Sequence, residues 1–285
     1  MNTTSSNPLA KHFRQPKLYV NLPSGGMFYP QGSLEPTETG EFPVYAMTAK
    51  DELMFKTPDA LLNGQSTVSV IQSCIPNIKN AWHIPSIDID AILVAIRMAT
   101  YGEKMEIEVK VPTINEERSY EIDLRSVLDN LLAEKFENII KLNGFSVEIS
   151  PLTYREFTES AMKTFEEQRM FKIINSDELT EEEKLSKFNE AFNRLTDLNI
   201  SSIVKSVKCV IFDGEEPVTD TDHIIEFFAN ADKDVFKSVI DHIGEQRKRF
   251  SIKPFTVKLF EEDVAKGAPE TMEIPITFDQ SNFFA

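Results

Sequence analysis

After Ser86 apolar residues recur at every third or fourth position. Ile89, Ile92, Ile96 and Ala99 share one side of a helix that Gly102 ends. Val68, Ile71 and Ile75 repeat that spacing earlier in the chain. Thr48, followed by Asp51 and Glu52, predicts a helix start at Ala49 with its acids near the positive end of the dipole. Pro58 suits the first turn of a further helix. Upstream, Met27-Phe28-Tyr29 and Val44-Tyr45-Ala46-Met47 read as short strands, the first following a Pro23-Ser24-Gly25-Gly26 turn.

Beyond Gly102 the period falls to two. Met105, Ile107, Val109 and Val111 alternate with charged residues, and Tyr120 and Ile122 do the same, which predicts a hairpin with one wet face. A short helix over 124–132 follows Asp123. Ile140-Lys141-Leu142, Asn143-Gly144 and then Phe145, Val147 and Ile149 predict a second hairpin. Asn-Gly suits a type I′ turn there, and the strand after it is expected to pack on helices of the N-terminal half.

From Pro151 helices dominate. Phe157, Ala161 and Phe165 mark one, and Thr180 with Glu183 forms a capping box ahead of Leu185, Phe188, Phe192 and Leu195. Residues 175–179 read as the turn between these two helices. A strand over 207–212 comes next. Thr219 with Asp222 reads as another capping box, before Ile224 and Phe228, and Asp232 as the cap of a last helix ending in Arg247-Lys248-Arg249. Phe255, Val257 and Leu259, then Ile274, Ile276 and Phe278, predict a closing hairpin around an acidic loop. The fold class expected is α+β. Residues 1–16 form a flexible arm and 17–150 a domain of short strands, hairpins and helices. Residues 151–285 form a mainly helical domain with a C-terminal hairpin and tail. A single continuous domain is the other reading.

Composition narrows the function more than the motifs do. The 285 residues are 41% hydrophobic and 27% charged, ordinary for a globular chain. Forty-six acidic residues against 30 basic ones leave a net charge of −16, which opposes binding to a phosphate backbone. No apolar run is long enough to span a membrane, and the N-terminus has no secretory pattern. Cys74 and Cys209 read as two buried free thiols.

No catalytic, cofactor-binding or metal-binding residue is assigned. The Pro23-Ser24-Gly25-Gly26 turn is followed by Met27-Phe28-Tyr29, not by the Lys-Ser or Lys-Thr of a phosphate loop. Asp88/Asp90 and Asp220/Asp222 read as first-turn carboxylates satisfying helix amides. His12, His83, His223 and His242 lack ligand spacing. Two features suit protein partners instead. Arg247, Lys248 and Arg249 make a basic cluster for an acidic surface. Phe283 and Phe284, near the end of the sequence, suit either docking onto the chain's own core or insertion into another subunit.

The stretch LYVNLPSGGMFYP from Leu18, with VYAMTAKDELMFKTPDALLNGQSTVSVIQSCIPNI ending at Ile78, resembles the baseplate proteins of T4-like contractile-tailed bacteriophages, in particular hub-associated subunits and assembly factors. The tail Phe278-Asp279-Gln280-Ser281-Asn282-Phe283-Phe284 is similar to the ending of the same family. The resemblance implies a binding protein, not an enzyme, with other baseplate or hub proteins as partners and no cofactor. It would work in the host cytoplasm during tail assembly or in the virion baseplate. A tail-associated hydrolase and an acidic host-interaction or DNA-mimic protein are the alternatives.

Overall fold

A computed structural model describes residues 9, 13–55, 64–111, 114–174, 180–276 and 283. Its architecture is α+β, and its centre is a helix, Ser86–Tyr101. Ile92, Val94, Ala95 and Ile96 are fully buried there and Ile87 and Leu93 nearly so. A helix apolar on every side must be covered on every side. Strand β1 (Pro16–Val20) pairs antiparallel with β2 (Phe42–Tyr45), and both lie against it. Helices α1 (Ala49–Phe55) and α2 (Gln65–Cys74) extend the same core, and the central helix is α3. Val68, Ile71 and Ile75 are buried as their spacing predicts, and Thr48 and Asp51 cap α1 reciprocally.

Asp88 and Asp90 depart from the expected capping role. Asp88 is fully buried and accepts from Ser24 and Tyr29, while Asp90 accepts from the Ile252 backbone amide at 3.1 Å. Both carboxylates join distant segments. Met27-Phe28-Tyr29 is a turn and not a strand, because Ser24 is held by Asp88 and Phe28 takes φ 68°. That conformation is costly for a bulky residue. Edge-on contact of the Phe28 ring with Phe136, at 5.4 Å, accompanies it. Near the start of the chain, Pro16 opens β1 and the residues just before it are held by side-chain contacts. Arg14 donates to the Ala46 and Ser73 carbonyls and to Ser73 Oγ, with Asp51 at 3.6 Å.

Strands β3 (Lys104–Lys110) and β4 (Glu117–Asp123) form the predicted antiparallel hairpin, and Asp123 caps α4 (Leu124–Ala133). Strands β5 (Ile139–Leu142), β6 (Phe145–Ile149) and β7 (Val207–Phe212) make a three-stranded sheet. In the β5–β6 turn Gly144 has φ 84°, but Asn143 is not among the residues at positive φ. A type I′ turn needs both, so the φ signs are those of a type II turn. Val147 and Ile149 pack on helices of the C-terminal half, with Ile224, Phe228, Val239 and Ile243, and not on those of the N-terminal half.

Helix α5 (Tyr154–Ile174) and helix α6 (Glu181–Lys205) pack side by side. After β7 come α7 (Thr221–Asn230) and α8 (Lys233–Arg249). Asp220, one residue beyond the expected Thr219, caps α7 by accepting from the His223 amide at 3.0 Å. Strands β8 (Phe255–Lys258) and β9 (Thr271–Ile274) close the chain around α9 (Glu261–Ala265). This terminal hairpin packs on β3–β4, where Val257, Leu259 and Ile274 meet Val111 and Tyr120. Arg118 forks onto buried Asp263 at 2.7 and 2.8 Å across that contact. Pairing of β6 with β7, and the return of the terminal hairpin, cross the expected boundary near 150. Pro58, residues 175–179, Phe278 and Phe284 lie outside the described residues.

Candidate docking surface

Helix α5 begins where two segments are tied together. The Ser86 amide donates to the Leu152 carbonyl and the Tyr154 amide to the Ile84 carbonyl, each at 2.7 Å. Thr153 and Glu156 then form a reciprocal cap. Glu156 accepts from the Thr153 amide and hydroxyl at 2.8 Å, and the Glu156 amide donates to Thr153 Oγ1. Trp82 stacks on Tyr154 at 5.8 Å, with Arg155 over the same indole. Gly64, at φ 75°, lies so close that an added Cβ would stand 3.3 Å from Trp82, Tyr154 and Thr158. The root of α5 is therefore fixed on the N-terminal core.

Further along, the apolar residues that mark both helices are exposed to solvent. Phe157, Met162 and Phe165 are exposed on α5, and Leu185, Phe188 and Phe192 on α6, with Phe165 and Leu185 each 63% accessible. The four phenylalanines alone expose about 400 Å², taking ~200 Å² for each ring side chain. That already matches the largest apolar patch of a typical monomer, about 300–600 Å². Both stripes lie on one side of the helix pair. Ala191 is fully buried and marks the side of α6 turned to α5. At about 100° per residue, Phe188, Phe192 and Leu185 stand roughly 60–120° round from it. Half-buried Ser160 and Thr164 mark the facing side of α5, and Phe157 and Phe165 follow round from them. A link of six residues cannot return along a helix of 21, so the pair is antiparallel and these rotations meet on the same side.

The α5 face forms a groove of about 600 Å³ that includes Phe157, Ala161, Met162 and Phe165. Phe157 also lines a second hollow of about 300 Å³, walled by Ile87, Asp90, Phe250, Arg247 and Lys248. Arg249 is engaged within the chain, 2.7 Å from Glu137, and Lys253 is 3.1 Å from Glu134. Arg247 and Lys248 make no ion pair among the described residues. Burial pushes the Arg247 guanidinium below its usual range. Asp90 lines the same hollow with its carboxylate on the Ile252 amide, and burial raises it to about 6.

Of the five residues singled out for partners, Arg247 and Lys248 thus line the hollow that shares Phe157 with the α5 groove, while Arg249, also at the end of α8, is turned to Glu137. Phe283 is elsewhere, 1% exposed in the core of the N-terminal half, with the Arg97 guanidinium 5.9 Å from its ring. Phe284 is outside the described residues. The Thr153–Glu156 cap went unnoticed in the sequence, although its T-x-x-E spacing was there to find.

The apolar face of α5 thus rises from a fixed root, with Arg247 and Lys248, which have no ion pair among the described residues, in the adjoining hollow. A family model described as T4 bacteriophage base plate protein matches residues 19–258, and the chain belongs to that family. The match starts in β1 and stops at the end of β8, so the tail beyond Lys258 lies outside it. No curated protein and no solved structure matches the chain. Among the described residues no helix is long and apolar enough to cross a membrane.

Proposed function

We propose that this baseplate protein acts at the hub, as a subunit or as an assembly chaperone, by docking another baseplate protein on the apolar face of α5 and α6. The exposed stripe of Phe157, Phe165, Phe188 and Phe192 carries the reading. Exposed phenylalanines on a helix pair with a fixed root supply rigid apolar area at low ordering cost, which is what an interface core needs. The mechanism is binding and not catalysis, in the host cytoplasm during tail assembly and then in the baseplate. Arg247 and Lys248 belong to the docking surface in this reading, while Phe283 serves the chain's own core.

The test is co-expression with the other baseplate proteins, using wild type and the double variant Phe165→Asp/Phe188→Asp. Both substitutions fall on exposed positions, and an unchanged circular dichroism spectrum checks that the variant keeps its fold. Wild type should co-sediment with baseplate intermediates and the variant should stay free. Equal incorporation of the two would remove the α5–α6 face from the account.

A further inference from the structure

We infer that the partner segment seated on α5 is an amphipathic helix with acidic residues at the end that reaches Arg247 and Lys248. This rests on the proposed docking role and adds the chemistry of the occupant. Three observations point to it. The α5 groove and the hollow beside α8 share Phe157, so an occupant of one runs into the other. The groove follows a helix face for about four turns from Tyr154 to Arg169, and ridges of a second helix fill such a face. At the α8 end, Arg247 and Lys248 lack a carboxylate among the described residues, whereas their neighbours Arg249 and Lys253 each have one.

Charge complementarity selects the occupant. A guanidinium drawn partly out of water without an anion gains most from a carboxylate brought in by a partner. Asp90, the carboxylate already in the hollow, is bound to the Ile252 amide; burial raises it, that amide opposes the rise, and no cation pulls it down. The chain as a whole carries −16, so an acidic ligand is disfavoured in general and gains most at a local cationic cluster. Placing the acidic end there gives the complex its direction along the groove.

The probes are two synthetic amphipathic peptides about 18 residues long, five helical turns. They share one Leu/Phe stripe and differ only in having Glu or Gln on the polar face at one end. By fluorescence anisotropy the Glu peptide should bind the wild-type protein roughly tenfold more tightly than the Gln peptide, despite the net charge. Arg247→Glu/Lys248→Glu should abolish the difference, Arg247→Ala/Lys248→Ala should reduce it, and Phe165→Asp should weaken both peptides alike. Equal binding of the two peptides, or an unchanged Glu preference in the charge variants, would overturn the inference. Self-association lost in Phe165→Asp would assign the groove to a second copy and overturn it too. Baseplate incorporation separates this from the docking role. Loss with Phe165→Asp/Phe188→Asp but not with Arg247→Glu/Lys248→Glu leaves the docking role standing and removes the acidic helix.

Discussion

Ser24 gives both its backbone N–H and its hydroxyl to the Asp88 carboxylate, at 2.7 and 2.6 Å, across 64 positions of sequence. The Tyr29 hydroxyl adds a third donor at 2.9 Å. The irregular segment after β1 is thereby fastened to the first turn of the central helix. Asp88→Ala leaves three donors near α3 without an acceptor and should cost roughly 2–4 kcal/mol in urea denaturation. A loss under 1 kcal/mol would mean that this contact does not hold the segment.

The same carboxylate sets a pH dependence. Burial raises it to about 6 from an ordinary 3.8, with the Ser24 and Tyr29 donors pulling the other way. Between about pH 4 and 6 the folded state therefore holds the proton more tightly than the unfolded chain does. The contribution of this group favours folding below about pH 4 and is lost as pH rises through 6. Asp88→Asn removes that slope. From pH 4 to 7 wild type should lose roughly 2–3 kcal/mol relative to the variant, and parallel stability curves would contradict the assignment.

The β5–β6 turn makes a sharper claim than its Asn-Gly dipeptide did. Gly144 carries the left-handed φ, and an added Cβ would touch nothing within 4 Å, so the cost of a side chain is purely backbone strain. Gly144→Ala should destabilise by about 1 kcal/mol and Gly144→Val by somewhat more. Asn143→Ala should be nearly neutral in the same thermal unfolding series. A comparable loss at both positions would restore the type I′ turn.

Periodicity exposed most of the fold, because α3, β3–β4 and the capped helices owe their boundaries to local spacing. It failed where the deciding partner is distant. First-turn placement made Asp88 look like a cap, and nothing nearby in sequence announces Ser24. The alternating pattern gives way to a helical one near 150, and spacing could not show that β6 pairs with a strand almost sixty residues on. Phe157, Ala161 and Phe165 were legible as a stripe, yet spacing tells that a face is apolar, not what covers it. Only the folded chain puts Phe157 beside Arg247 and Lys248.

Phe283 tests how far the tail belongs to the fold. It is fully enclosed in the N-terminal core near Arg97, whose Nε and Nη1 lack a hydrogen-bond partner among the described residues. Phe283→Ala should lower stability by about 3 kcal/mol, as buried phenylalanines do. An unaltered denaturant midpoint, together with lost binding to a baseplate protein, would return this residue to partner insertion.

Hydroxyl-radical footprinting of the free protein against the baseplate complex tests the docking face most directly. Phe157, Phe165, Phe188 and Phe192 should be readily oxidised in the free protein and protected several-fold once the complex has formed, with buried Phe283 unreactive in both states. If the complex forms and these four rings stay as reactive as before, the partner sits elsewhere and the α5–α6 face is not the docking surface.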